Sequence, residues 1–90
     1  DDFSTGRRSH LAQHGENVEV VTADIRDLDA MMSATSGMDV VIHMAVACLR
    51  VSLNDPQYVH EVNATGTLQV WRAAAANGVS RTVYVSSSEA

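Results

Sequence analysis

The sequence contains no lysine, one cysteine, one proline and few aromatic residues, which make up 4% of its 90 positions. Because a single cysteine cannot form an internal disulfide, we expect Cys48 to be a small buried hydrophobe and the protein to be cytoplasmic. No apolar run reaches the roughly 20 residues that a membrane span needs, and no signal peptide is visible. The net charge of −5 argues against nucleic acid or an anionic membrane as a partner.

Three short apolar segments alternate with two helical patterns. Strands are predicted at residues 18–22, 39–45 and 82–85, and helices at 27–37 and 55–78. Strand, helix, strand, helix and strand in this order indicate crossover connections and a parallel sheet, so we predict a partial, doubly wound α/β fold. The middle strand is apolar almost throughout, which predicts that both of its faces are covered.

Capping residues mark where the predicted helices begin and end. Asp27 and Asp55 are predicted N-caps, and Pro56 suits the first position of the second helix. Gly37 and Gly78 are predicted to end the two helices. Apolar positions recur every three or four residues along the second helix and give it one buried face: Val59, Val62, Gly66, Val70 and Ala73. Residues 48–54 are predicted to form a loop, and residues 7–16 a polar connection.

Small or polar residues stand at the carboxyl ends of the predicted strands, where α/β proteins bind ligands. These residues are 23–25, 43–47 and 86–88, joined by Asp1 if a further strand precedes it. An acidic residue at such a position can hydrogen-bond a ribose diol and oppose a 2′-phosphate. No Gly-x-Ser-x-Gly motif surrounds the three serines, so a hydrolase is not supported. The pattern therefore predicts a nucleotide-sized ligand.

Several single residues allow both a structural and a functional interpretation. Gly66 lies inside a predicted helix, which indicates either close packing or clearance for a ligand. Asn63 is either an exposed helix residue or a contact to a neighbouring loop backbone. His43 is predicted to be a hydrogen-bonded structural histidine. His10 and His14 have the spacing of metal ligands on a helix but lack further ligands, so we favour a solvated pair.

Six segments together resemble the extended short-chain dehydrogenase/reductase family of NAD-dependent sugar epimerases and dehydratases. Its Asp-Asn-Leu-Ser-Thr-Gly, Gly-Asp-Ile-Arg-Asp and Asp-Val-Val-Ile-His-Leu-Ala motifs are similar to residues 1–6, 23–27 and 39–45. Residues 54–56, 63–68 and 85–88 complete the match in the right order. The resemblance implies a Rossmann-type domain, of which residues 1–90 are expected to be an interior part. The first βα unit and the C-terminal substrate region would lie outside it.

The resemblance implies that NAD is the cofactor. Asp1 would bind the adenosine ribose, with Asp2 and Phe3 beside it. Asp24 and Ile25 would flank the adenine, with Asp24 towards its exocyclic amine.

The nicotinamide half of the cofactor would lie at the other strand ends. Met44, Ala45 and Val46 would line the pyrophosphate and nicotinamide ribose, although the family usually has a smaller residue where Val46 stands. Ser86 would lie beside the nicotinamide. Ser88 would be the catalytic residue that hydrogen-bonds the sugar hydroxyl.

The remaining implications concern the whole protein. Asn63 matches a helix asparagine whose role in the family is mainly structural, although we count it with the cofactor site. The Tyr-x-x-x-Lys pair that supplies the general base cannot be present in a chain without lysine. We expect a homodimer that acts on a nucleotide-activated sugar. NADP instead of NAD, a hydroxysteroid or carbonyl reductase, and a non-catalytic NAD(P)-binding regulator remain alternatives.

Overall fold

The computed structural model describes residues 1–7, 9 and 18–86. The elements in chain order are helix α1 (Leu28–Thr35), strand β1 (Val40–His43), helix α2 (Leu49–Ser52), helix α3 (Pro56–His60), a π-helical segment (Glu61–Gly66), helix α4 (Thr67–Ala76) and strand β2 (Arg81–Tyr84). The strands pair in parallel, with Val40 opposite Arg81 and His43 opposite Tyr84. The α/β class and the parallel pairing agree with the sequence prediction.

Helix α1 begins and ends where its capping residues predict. The Asp27 carboxylate accepts a hydrogen bond from the Ala30 amide at 3.1 Å, and Asp29 adds negative charge to the first turn. Gly37 follows the helix with a φ of 74°, a conformation that glycine adopts without steric cost. The predicted boundaries of this helix are therefore confirmed.

The second predicted helix forms as one path made of α3, the π segment and α4. Asp55 caps its start by accepting from the Tyr58 amide at 3.1 Å, and Pro56 occupies the first turn. Asn77 ends it, followed by Gly78 at a φ of 67°. The prediction of a loop at residues 48–54 is wrong in part, since α2 forms a single helical turn there.

Helices α1 and α4 pack together around a small core. Its buried apolar residues are Ala47, Val62, Val70, Ala73 and Ala74. At the end of α4 the Asn77 side chain donates to the Met32 carbonyl at 2.8 Å and to Thr35 Oγ1 at 2.9 Å. These two bonds join the C-terminal ends of both helices across 42 to 45 residues of sequence.

The predicted strand at residues 18–22 is wrong as a regular strand, because the structure assigns none there. Asp1 N donates to the Val21 carbonyl at 3.1 Å, and Ala23 N donates to the Asp1 carbonyl at 3.0 Å. Hydrogen bonds from Asp1 to the residues on either side of Thr22 are typical of two paired parallel strands. The pairing with Asp1 covers one residue, and the structure assigns no ladder to residues 18–22.

The prediction that β1 is covered on both faces is also wrong. His43 is buried on the face that meets α4, whereas Val40 and Ile42 on the other face are 47% and 60% exposed. The accessible surface of the structure is 6721 Å². A folded monomer of 9.7 kDa typically exposes about 5,100 Å². Apolar faces of the sheet therefore stay open.

His43 is the polar residue at the centre of the contact between β1 and α4, as predicted for a structural histidine. Its Nε2 lies 2.8 Å from Thr67 Oγ1, and that hydroxyl gives its one proton to the Asn63 carbonyl at 2.7 Å. His43 Nε2 must therefore be the donor. The ring also packs edge-on against Trp71, with centroids 5.8 Å apart.

Among the residues that the structure describes, no helix is both long and apolar enough to cross a membrane.

The burial of His43 predicts a loss of stability in acid. Burial lowers the pKa of His43 below its ordinary value of 6.5, so the unfolded chain binds a proton that the folded chain resists. We expect the thermal midpoint to fall as the pH drops below 6.5 and to lose this contribution in H43F. Melting curves at several pH values measure it.

The exposed His60 provides the control, because its ring lies outside the core. H60F should keep the acid sensitivity of the wild type. Equal pH dependence in H43F and the wild type would contradict the assignment.

Candidate functional site

A cavity of about 820 Å³ opens between residues 1–6, here called the Asp1 loop, and strand β1. Its volume lies within the range of small-molecule sites. Its walls come from three segments that lie far apart in sequence, the first residues of the chain, residues 23–25 and residues 40–48, together with side chains of the helices. Seven residues predicted from the sequence to bind the cofactor line it: Asp1, Asp2, Asp24, Ile25, Met44, Ala45 and Val46.

The Asp1 loop folds around two carboxylates. Asp1 Oδ1 accepts from the Phe3 amide at 2.7 Å, and Asp2 Oδ1 accepts from the Ser4 amide at 3.0 Å. A Cβ added at Gly6 would lie 2.9 Å from Asp1 Oδ2, so the loop passes close over that carboxylate. The bonds orient both acidic groups, and both side chains remain exposed.

Asp24 forms the second acidic group of the cavity and is paired with Arg26. Arg26 Nη2 lies 2.7 Å from Asp24 Oδ2, and the Arg26 amide donates to Oδ1 at 2.9 Å. These side-chain hydrogen bonds hold the pKa of Asp24 below its ordinary value of 3.8, against the opposing effect of burial. Asp24 is therefore an ionised acceptor at neutral pH.

Ile25 is held by close packing against the π segment. A Cβ added at Gly66 would lie 2.5 Å from Ile25 Cδ1 and 2.6 Å from Ile25 Cγ1. Only glycine leaves room for this contact. Of the two interpretations of Gly66, the packing one is supported, and the residue it packs against is itself a wall of the cavity.

Asn63 holds the loop that follows β1. Its Oδ1 accepts from the Ala47 amide at 2.8 Å, and its Nδ2 donates to the Ala47 carbonyl at 3.0 Å. Both polar groups of one peptide residue are thus paired with one side chain. The predicted contact of Asn63 with a loop backbone is confirmed.

The loop that Asn63 holds gives the cavity its apolar wall. Met44 and Val46 expose most of their side chains, while Ala45 between them presents only a methyl group. Cys48 at the end of this loop is exposed, so the expectation that it is buried is wrong. The physical reason is that Ala47, the preceding residue, takes the buried position of this loop, so the Cys48 side chain lies outside the core.

Three of the predicted site residues do not line the cavity: Phe3, Asn63 and Ser86. Phe3 has a φ of 57° in the turn after Asp2, and Ser86 lies just beyond β2. Ser88, His10 and His14 lie outside the described residues. Within the described part of the chain, no group of three metal-ligating side chains is close enough to hold an ion.

Sequence analysis missed the residues that support Asp24. Arg26 Nη1 lies 3.4 Å from Glu61 Oε2, and its guanidinium carbon is 5.1 Å from the centroid of the Tyr58 ring. The available signal was the opposite charge of Asp24 and Arg26 two positions apart. Nothing in the sequence indicated the two partners on the helix.

Loss of the Asn63 amide should loosen the apolar wall of the cavity. N63A leaves the amide and carbonyl of Ala47 without their partner, which we expect to cost about 1–3 kcal/mol of stability. Amide hydrogen exchange at Ala47 should accelerate together with that loss. Exchange measured by NMR and a denaturant midpoint test both effects.

Asn54 offers a matched control, since it is exposed in the turn before α3. N54A should change neither quantity appreciably. Unchanged Ala47 exchange in N63A would show that the loop does not depend on this side chain.

Comparison with known proteins finds relatives among sugar epimerases and hydroxysteroid dehydrogenases. The chain is 35% identical over 91 residues to the UDP-glucose 4-epimerase of Mycolicibacterium smegmatis. This match covers 97% of this chain and 29% of that protein. It is 39% identical over 70 residues to 3beta-hydroxysteroid-dehydrogenase/decarboxylase isoform 2 of Arabidopsis thaliana, covering 78% of this chain and 12% of that protein. It therefore spans less than a third of either relative.

A solved structure shows the same fold. The double mutant of DesIV, a dTDP-glucose 4,6-dehydratase from Streptomyces venezuelae with NAD bound, superposes with a TM-score of 0.83 at 29% identity. The match covers 91% of this chain and 26% of that one. The fold is therefore Rossmann-like, and the sequence model of one family matches residues 2–90. The chain belongs to the NAD dependent epimerase/dehydratase family.

Proposed function

We propose that this chain is part of an NAD-dependent epimerase or dehydratase that acts on a nucleotide-activated sugar. The observation that carries the proposal is the convergence of Asp1, Asp24 and the residues 44–46 on one cavity. The sugar epimerase and the sugar-nucleotide dehydratase among its relatives support the substrate class.

The acidic end of the cavity suits an adenosine group. Asp1 and Asp2 present carboxylates that accept hydrogen bonds from ribose hydroxyls and oppose a 2′-phosphate, which favours NAD over NADP. Asp24 presents an acceptor towards an adenine amine, with Ile25 beside it. Acceptors at all three positions fit hydrogen-bond donors on the ligand and disfavour phosphate groups.

The other end of the cavity suits the rest of the dinucleotide. Ala45 leaves room for close approach to the loop backbone, and Met44 and Val46 exclude water from the face of a ring. A strand from outside this chain, placed beside the edge of β1 that does not pair with β2, would extend the sheet, and a helix packed on the open face would cover Ile42. The interior position of residues 1–90 within one Rossmann-type domain is part of this proposal.

In the whole enzyme, Asp1, Asp24 and the residues 44–46 would hold NAD, which would supply the hydride acceptor for the sugar carbon that bears the reacting hydroxyl. Ser88 would hydrogen-bond that hydroxyl and orient it, while a tyrosine from outside this chain takes its proton. Ser86 would contact the nicotinamide side of the site, and Asn63 would act through Ala47 rather than on the cofactor directly.

A hydroxysteroid dehydrogenase is the second candidate. The 39% identity to the Arabidopsis thaliana enzyme favours it. Both candidates need the same cofactor site and differ in the substrate region, which lies elsewhere in such relatives. A homodimer and a cytoplasmic location complete the proposal as predictions.

The role of Ser88 is tested by S88A in the full-length protein. We expect turnover of a nucleotide sugar to fall by about 100-fold while the affinity for NAD changes little, because the serine contacts the sugar hydroxyl. Steady-state kinetics and a cofactor titration measure the two quantities separately.

S33A is the matched control, since Ser33 is exposed on α1 away from the cavity. It should leave both quantities unchanged. Wild-type turnover in S88A would remove Ser88 from the catalytic residues, and absence of NAD binding in the wild type would refute the proposed function.

A further inference from the structure

A single residue, Arg26, donates almost all the hydrogen bonds that the Asp24 carboxylate can accept. The Arg26 amide donates to Oδ1 at 2.9 Å, and Nη2 donates to Oδ2 at 2.7 Å. Nε lies 3.1 Å from both oxygens and shares its one hydrogen between them. The carboxylate is therefore held in one plane by three N–H donors.

The arginine is itself held from two further directions. Glu61 Oε2 lies 3.4 Å from Arg26 Nη1, and the Tyr58 ring lies 5.1 Å below the guanidinium carbon. Tyr58 belongs to α3 and Glu61 to the π segment. The orientation of Asp24 is thus set by the helix as well as by its own loop.

Among the residues that the structure describes, Arg26 leaves one acceptor position on the carboxylate free. A carboxylate offers about four lone-pair positions, and the three N–H donors of Arg26 occupy all but one. Nε lies 3.1 Å from both oxygens, so its weaker, shared contact leaves the free position to either oxygen. The Asp24 side chain lines the cavity and is 31% exposed, so this position is accessible to a ligand.

We propose that Arg26 is a positioning residue that turns Asp24 into a single, fixed acceptor and thereby selects a purine with a 6-amino group over one with a 6-oxo group. This inference rests on the proposed function, in which the adenine lies beside Asp24. An amine donates to the free lone pair, whereas an oxo group would bring two acceptors together. Without Arg26, the carboxylate rotates and is hydrated, so the choice between the two purines weakens.

The test uses NAD and nicotinamide hypoxanthine dinucleotide, in which a 6-oxo group replaces the 6-amino group and N1 carries a hydrogen. In the full-length protein we expect NAD to bind about tenfold more tightly, as is reasonable for one hydrogen bond to a charged group. In R26Q this ratio should fall to about twofold. R26K should also lower the ratio, because an ammonium lacks the planar fork of a guanidinium.

A ratio of affinities separates positioning from a general loss of structure, since unfolding weakens both cofactors alike. R72Q removes an arginine whose side chain is bonded to Gln69 on the exposed face of α4, and it should keep the wild-type ratio. If R26Q binds neither cofactor, E61Q provides a milder change that keeps the Asp24 pair and should lower the ratio partly.

The outcomes distinguish the two proposals. A wild-type protein with equal affinity for both dinucleotides would refute the adenine contact of Asp24 and with it this part of the proposed function. A tenfold preference that persists in both R26Q and E61Q would overturn the role of Arg26 and leave the proposed function intact.

Discussion

The cavity depends on the two hydrogen bonds between the Asn63 amide and the backbone of Ala47. The loops on either side of the cavity contain no regular structure, so their positions relative to each other depend on contacts with the helices. The π segment holds both of them: Asn63 fixes the loop after β1, and Gly66 admits Ile25 of the other loop. Glu61 contacts Arg26 from the same segment. One stretch of six residues therefore sets the distance between the two walls.

Features that depend on neighbours in sequence could be predicted from the sequence, and those that depend on distant partners could not. The caps at Asp27 and Asp55 need only the next three residues, and both form. The strand at 18–22 needs a neighbouring strand along its whole length, and the structure shows a pairing with Asp1 at one residue. In β1 the apolar sequence shows that Ile42 can be buried, but burial requires a layer that the described residues do not supply.

In the candidate site, too, features that depend on neighbours in sequence were predicted and contacts with distant residues were not. Asp24 and the residues 44–46 could be assigned because they follow strand-like segments, and Asp1 on the condition that a further strand precedes it. The structure brings all of them to one cavity. The resemblance to a family added roles that composition alone does not contain. The contacts of Arg26 with Tyr58 and Glu61 were missed because they join positions more than 30 residues apart in sequence, where no spacing rule applies.

The π segment also sets how the polypeptide between Pro56 and Ala76 can change in length. Each residue of an α-helix turns the chain by about 100°, whereas a π segment accommodates an extra residue by widening its turn. Removal of one residue from the segment would restore an ordinary helix and leave α4 close to its present orientation. Removal of one residue from α4 itself, ahead of Val70, would instead rotate the rest of that helix by about 100°, and the face that carries Val70 and Ala73 would leave the core. The π segment is thus the place on this path where a change of one residue in length rotates α4 least.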